Sequence, residues 1–334
     1  MVTTKPLRVG LVIDGTDHFL RPIETELRRH HHVTRFAPRF VRLPLIGQRV
    51  NDRLLKWQLA RFLNENDVVF FEWAGPLAAI SSHLSGATAR IVRAHRTELF
   101  SDLGIFDWAR VDRVIFVSAA MQRRFLQRFP EHHARTLVIY NGVDLQRFAP
   151  IEKTFAWRIG MLGNLIPRKR AYDVISALAE LPVTIPWRLS VGGPPVNTEL
   201  DYWEALQAFV SKLGLDRQVT FNGLIRNAAD WLKEIDVFVS ASYSEGHQVA
   251  LLEAMAAGCY CLGHCWDGIE EILPPENIYT TDGDLRTKLL AYAALPPEAQ
   301  HAAQAQLRAI AEERFDERRM VREIVELIEQ VARE

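Results

Sequence analysis

Residues 237–258 read VFVSASYSEGHQVALLEAMAAG. The stretch opens on four strand-forming residues, passes through a small, polar, glycine-containing turn, and closes on a run of strong helix formers ended by Gly258. One strand–loop–helix unit of this kind is half of a parallel crossover. The chain repeats it on both sides: WRIGMLGN, WRLSVGG, VTFNG and CYCLG are short β-rich runs, and AYDVISALAEL, YWEALQAFVSKLG and AADWLKEI are helical periods between them. Strand alternating with helix predicts parallel sheets.

Upstream, LRVGLVID, DVVFFEW, ARIVRAH, RVIFVS and LVIYNG give a second strand series. DVVFFEW is apolar without alternation, as in a strand covered on both faces. LLKWQLARFLNE predicts an amphipathic helix with Leu54, Leu55, Leu59, Phe62 and Leu63 on one face, and RRMVREIVELIEQVA one with Val321, Ile324, Val325, Ile328 and Val331. At 334 residues the chain exceeds what one core usually supports, so two domains are expected, divided near Pro150. No run is long and apolar enough for a membrane span, and the start has no apolar signal region. Cys259, Cys261 and Cys265 fit neither a disulfide framework nor paired zinc spacing; they read as buried thiols of a cytoplasmic protein.

The net charge of −1 conceals an asymmetry: residues 1–150 hold 22 Lys+Arg and 14 Asp+Glu, leaving 18 and 27 for 151–334. Residues 28–61 carry nine basic side chains against Asp52 alone. Such a segment attracts phosphates, anionic lipid or an acidic polymer, or is a solvated face. No aromatic platform accompanies it, which argues against nucleic acid.

Ligands of open α/β sheets bind beyond the carboxyl ends of the strands. In the opening stretch the amides of residues 247–250 point out of a helix N-terminus and suit an anion. Glu245 precedes that terminus, and Glu253 shares a helix face with Val249 and Ala250. Carboxylates accept from vicinal hydroxyls, so this element can grip a sugar, a diphosphate and a ribose together. Spacing alone leaves two surface glutamates as an alternative.

The stretch resembles the Glu-seven-Glu signature of the retaining glycosyltransferases of family 4. YNGVDLQRFAP, IGMLGNLIPRKRAYDVISAL, LSVGGPP and VTFNGLI resemble the linker, phosphate loop and nucleotide-binding strands of that family. The resemblance implies the GT-B fold: two Rossmann-like parallel-sheet domains facing a cleft, at 1–150 for the acceptor and 151–312 for the nucleotide sugar, with a helix at 313–334 crossing back to the first. It implies that Lys169 touches the donor diphosphate, Glu245 holds donor-sugar hydroxyls, Glu253 binds the ribose, and the amides of Gln248, Val249 and Ala250 meet phosphate and sugar. Gly15 matches a loop where backbone nears the diphosphate, and His95 a histidine that contacts the donor sugar, although a lone histidine is more often structural.

Two loops depart from the family pattern. Asn164 replaces an arginine of the phosphate loop and Arg170 the glycine after its lysine, so that Arg168 or Arg170 is expected to supply the missing charge. His247 and Gln248 replace Phe-Gly. The expected reaction is retaining transfer of a sugar from a nucleotide diphosphate to a carbohydrate, lipid-linked or anionic acceptor, with no metal or cofactor. Contact with the inner face of an anionic membrane through 28–61 is expected as well. A weakly catalytic donor-binding partner subunit and a GT-B sugar-nucleotide epimerase are the alternatives.

Overall fold

The computed structural model describes residues 5–41 and 47–334. The chain divides into two compact units: Met1–Asn141 with Arg318–Glu334, and Gly142–Glu317.

In the first unit the order is β1 (Arg8–Ile13), α1 (Leu20–His30), β2 (His32–Arg35), α2 (Gly47–Glu65), β3 (Val68–Glu72), α3 (Pro76–Ser82), β4 (Ala89–Ala94), β5 (Arg113–Phe116), α4 (Ala119–Arg128) and β6 (Thr136–Val138). The six strands form one parallel sheet in the order β2-β1-β3-β4-β5-β6. The unbroken apolar run of β3 follows from burial on both faces. Val69 and Phe71 pack with Leu63 of α2 and Phe125 of α4, while Val68 and Phe70 pack with Ile23 of α1.

The second unit runs β7 (Arg158–Leu162), α5 (Ala171–Ala179), β8 (Arg188–Gly192), α6 (Leu200–Lys212), β9 (Val219–Gly223), α7 (Ala228–Lys233), β10 (Val237–Ser240), α8 (Val249–Ala256), β11 (Tyr260–His264), β12 (Ile278–Tyr279), α9 (Asp282–Ala293) and α10 (Pro297–Arg314). Its parallel sheet has the order β12-β11-β10-β7-β8-β9. Counted from its own first strand this is 6-5-4-1-2-3, the dinucleotide-binding order, with its reversal between β7 and β10.

The last helix, α11 (Glu317–Val331), joins the first unit: Val321, Ile324, Val325, Ile328 and Val331 all lie in the core beside Val9 and Phe70. It begins at Glu317 rather than 313, because α10 continues to Arg314 and Val143 then forms a parallel bridge with Asp316. That bridge also draws Val143–Pro150 into the second unit, so the division falls at Asn141–Gly142 and not at Pro150.

Among the described residues no helix is long and apolar enough to cross a membrane. Cys259 and Cys261 are buried, whereas Cys265, beyond the end of β11, is exposed.

Candidate active site

The second unit's site stands at the reversal of strand order. The loop after β7 and the loop after β10 leave neighbouring strands, and Tyr243 N–H donates to the Arg168 carbonyl at 3.2 Å, tying the two together. Gly163 opens the first loop at φ +153°, and a Cβ there would lie 2.8 Å from Cε of Lys169. Glycine thus clears the path by which the lysine reaches back over the strand end. Gly193, after β8, has φ +129° and sits so close that a Cβ would meet the Gly163 carbonyl oxygen at 2.0 Å. Two glycines therefore pack backbone on backbone under the lysine.

Oε1 of Glu245 gathers three donors: Lys169 Nζ at 2.6 Å, Ser242 Oγ at 2.6 Å and Arg168 Nη1 at 2.7 Å. Burial alone would raise this carboxyl, but Lys169 and Arg168 outweigh it and hold Glu245 below the usual carboxylate range. Arg168 is fixed further by donating to the Ser244 carbonyl at 2.7 Å. Ser242, three residues before Glu245, is a member of the site that spacing arguments passed over; its place in the same turn was the available signal.

Val249 and Ala250 open α8, so their amides point out of its N-terminal end. Gln248 caps the helix without a side-chain bond to it; its Oε1 instead accepts from Ser240 Oγ at the end of β10. Lys169, Gly163, Gly192, Ser242 and Gln248 line a common narrow pocket. Glu253, one turn into α8, behaves oppositely to Glu245: burial pushes it up to about 7 against the pull of Arg147. Two carboxyls of one element are thus driven apart, one held ionised and one poised near neutrality.

Arg170 does not join this group. It sits in the left-handed region at φ +57°, where glycine is the easy residue, and its guanidinium pairs with Asp173 at 3.1 Å and Asp282 at 3.4 Å. The charge beside Lys169 comes from Arg168 alone of the two, and Asn164 is exposed.

In the first unit, His95 is buried between aromatic rings, 4.1 Å from Trp73 and 4.9 Å from Phe19 by centroid. Its Nε2 lies 2.6 Å from Oε1 of Glu72. Glu72 is fully buried; burial would raise it, but Arg93 and His95 hold it low and ionised, so Nε2 is the donor. That nitrogen is committed, which leaves Nδ1 as the ring's other polar atom. Gly15 has a packing reason of its own, since a Cβ would meet the Trp73 indole at 2.7 Å. Trp73 itself is held at φ +85° and donates through Nε1 to the Thr16 carbonyl.

The basic segment is half spent on local acids: Arg28 and Arg35 pair with Glu24, Arg29 with Glu26 and Arg61 with Glu65. Arg39, Arg49, Arg53 and Lys56 make no ion pair among the described residues; Arg42 lies outside them.

Residues 7–147 match the family model described as Glycosyltransferase Family 4, and residues 156–308 the model described as Glycosyl transferases group 1. The chain belongs to the GT-B glycosyltransferases. Among curated proteins, this GT-B glycosyltransferase is 29% identical over 204 residues to the lipopolysaccharide core biosynthesis mannosyltransferase LpsB of Rhizobium meliloti, covering 52% of this chain and 58% of that one. It is 27% identical over 168 residues to the D-inositol 3-phosphate glycosyltransferase of Streptomyces avermitilis, covering 45% and 36%. The matched stretches thus span about half the length of these relatives, or less. Its fold is that of a glycosyltransferase from Rickettsia africae ESF-5 (TM-score 0.81, 12% identity, 98% and 99% of the chains) and of Anabaena HepE in complex with UDP (TM-score 0.76, 20% identity, 97% and 100%).

Proposed function

We propose that this chain is a retaining, nucleotide-sugar-dependent hexosyltransferase acting on a hydroxyl of a glycan, glycolipid or other envelope or exopolysaccharide precursor. The observation that carries the reading is the convergence of Lys169, Arg168 and Ser242 on Glu245 in front of α8, at the strand-order reversal of its sheet. The names of the curated relatives, a lipopolysaccharide core mannosyltransferase and inositol-phosphate glycosyltransferases, support sugar transfer of this kind.

In this reading the donor diphosphate draws Lys169 and Arg168 to itself and meets the amides of Val249 and Ala250. Glu245, relieved of its cations, turns its oxygens to the sugar hydroxyls, and Glu253 accepts from the ribose. The anomeric C–O bond to the diphosphate breaks, leaving an oxocarbenium-like ring and a nucleoside diphosphate. The acceptor oxygen bonds to the same face, and its proton passes to a phosphate oxygen of the leaving group. Stabilising the developing phosphate charge is the protein's main task, and two fixed cations with a helix end perform it without requiring a metal.

The donor-only partner reading rests on Asn164 and Gln248, which depart from the family pattern; Arg168 beside Lys169 supplies the charge that Asn164 lacks, which favours an active enzyme. Incubation with nucleotide sugars and hydroxyl acceptors, with anomeric configuration read by NMR, tests the proposal. Transfer with retention is expected. Inversion of configuration, or free nucleotide with an epimerised sugar, contradicts it.

Contact with an anionic membrane belongs to the same reading. Gln58 binds both backbone groups of Arg39, and Asn51 both of Val41, which pins the intervening Phe40 outward at 58% exposure. Trp57 on α2 is 60% exposed, and Arg39, Arg49, Arg53 and Lys56 supply positive charge in the same segments. Apolar rings beside basic groups suit an interface of anionic lipid.

A further inference from the structure

The largest fully buried side chain among the described residues is an arginine. Arg93 follows Ile91 and Val92 on β4, in a sheet whose buried positions on β3 and β4 are mainly apolar. Glu72, its partner in the β3–β4 register, is likewise 0% exposed, and Oε2 of Glu72 lies 3.5 Å from Nη1 of Arg93. Nη2 donates to Oδ1 of Asn141 at 2.9 Å and to Sδ of Met320 at 3.3 Å, while Nε has no partner among the described residues. Asn141 ends the first segment of this unit and Met320 lies in α11 of the other, so one guanidinium is gripped by both segments.

Such a pair is poor material for stability. Two buried charges lose hydration that a 3.5 Å contact repays weakly, and apolar side chains of similar volume commonly serve a core as well or better. Its use lies at the other carboxylate oxygen. Oε1 of Glu72 accepts the Nε2 hydrogen of His95 at 2.6 Å. The His95 amide donates to Glu98, and Trp73 and Phe19 pack over the ring, so both backbone and imidazole are held. Nδ1 has no partner among the described residues. Burial pushes Glu72 up, and the Arg93 charge is the strongest of the influences that hold it below the usual carboxylate range. A neutral imidazole carries one N–H; with that hydrogen on Nε2, Nδ1 offers a lone pair.

We propose that Arg93 is a positioning residue: through Glu72 it commits the one ring hydrogen of His95 to Nε2 and so presents Nδ1 as an acceptor for a ligand hydroxyl. It rests on the transferase reading for calling that hydroxyl a sugar's. Without Arg93, a buried carboxylate facing the imidazole alone takes up a proton from water. On the ring that proton makes an imidazolium; on Oε1 it turns Nε2 into the acceptor and moves the ring hydrogen to Nδ1. Either way Nδ1 can no longer accept.

The test is long-range proton–nitrogen correlation spectroscopy of the full chain, labelled at its 11 histidines, with His95 identified by the signals lost in His95→Gln. In wild type Nδ1 of His95 should be unprotonated. In Arg93→Met it should carry a hydrogen, kcat/KM for transfer should fall at least about tenfold, and titrated UDP or GDP should bind as in wild type. Combining Arg93→Met with Glu72→Gln removes both charges and leaves an amide oxygen for the Nε2 hydrogen. Nδ1 should then be bare again, and most of the lost transfer should return. A purely structural Arg93 predicts no such recovery. If Arg93→Met does not fold, Arg93→Lys takes its place, with the charge kept and Nδ1 expected bare. The proposal is overturned if Nδ1 is protonated in wild type or in Arg93→Lys, if it stays bare in Arg93→Met, or if the double variant is no better than Arg93→Met. A wild type that transfers no sugar would sink the transferase reading, and the nitrogen states would still decide the link from Arg93 to His95.

Discussion

Nζ of Lys169 and Oε1 of Glu245 stand 2.6 Å apart, although 76 residues separate them in the chain. The contact exists because β7 and β10 are neighbours in the sheet and each ends in a loop that turns into the same space. Arg168 shares the oxygen, so the unliganded site holds two cations on one carboxylate. In the proposed reaction a donor diphosphate would meet positive charge that is already in position.

Glu245→Gln removes the anchor of both cations and, in the proposed mechanism, the acceptor for sugar hydroxyls. Transfer should fall by about 100-fold or more, as for loss of a preorganised electrostatic contact. Stability should fall by about 1–3 kcal/mol, because two partly buried cations lose their partner. Initial rates and urea unfolding measure the two effects; a variant as active as wild type would remove Glu245 from the mechanism.

Arg168 and Arg170 are separated by their partners, and their variants should part accordingly. Arg168→Ala should lower kcat/KM by about tenfold or more, the loss of one charge-assisted contact. Arg170→Gly relieves a left-handed residue while removing its pairs with Asp173 and Asp282. These effects oppose, so stability should change by less than about 1 kcal/mol and transfer should be unaltered. Equal losses in both variants would contradict the assignment.

Glu253 gives a pH dependence with a definite sign. Its folded value of about 7 lies above the ordinary 4.5. The fold therefore favours the protonated acid: the associated stability is full below about pH 4.5, declines as pH rises toward 7 and stays lost above it, by roughly 1–3 kcal/mol in all. Glu253→Gln should be more stable than wild type near pH 8 and indistinguishable near pH 4. If ribose hydroxyls donate to this group they favour its ionised form, so nucleotide binding near pH 6.5 should release a proton. Titration calorimetry in buffers of different ionisation enthalpy reads that release, and its absence would separate Glu253 from the ribose.

Gly163→Ala places a methyl group 2.8 Å from Cε of Lys169 at a φ of +153°. The lysine must shift, and donor affinity should drop by about tenfold or more, as misplacement of a positioned group does. Melting temperature and nucleotide titration together distinguish a displaced lysine from a failed fold.

Phe40 and Trp57 should bring the protein to anionic vesicles. Co-sedimentation with phosphatidylserine-containing vesicles should exceed that with neutral ones, and Phe40→Ser with Trp57→Ser, or charge reversal at Arg39 and Arg49, should weaken it several-fold. Binding that ignores lipid charge would reject the contact.

Much of this architecture was legible in the sequence because two periodicities are unambiguous. The unbroken apolar run of β3 could only be a strand covered on both faces, and the five-residue stripe of α11 could only be one side of a docked helix. The Glu245 turn was legible because a strand end, a glycine and a helix start fall within a few residues. What escaped depends on contacts that spacing does not encode. The start of α2 at Gly47 was missed because GQRVNDR carries no apolar period. The free positive charge of 28–61 is smaller than its composition suggests, because Glu24 and Glu26, just outside the window, face its arginines across single helical turns. Arg170 and Arg168 looked interchangeable until a left-handed backbone turned one of them away. The tie between His95 and Glu72 joins adjacent strands of a sheet whose order no local pattern reveals.

The most direct test is a crystal structure with a nucleoside diphosphate bound. The account predicts phosphate oxygens about 3 Å from Lys169 Nζ and from the amides of Val249 and Ala250, with the ribose hydroxyls on Glu253. A nucleotide lodged elsewhere, or a Lys169–Glu245 pair unchanged beside it with Glu253 facing bulk water, would contradict the account.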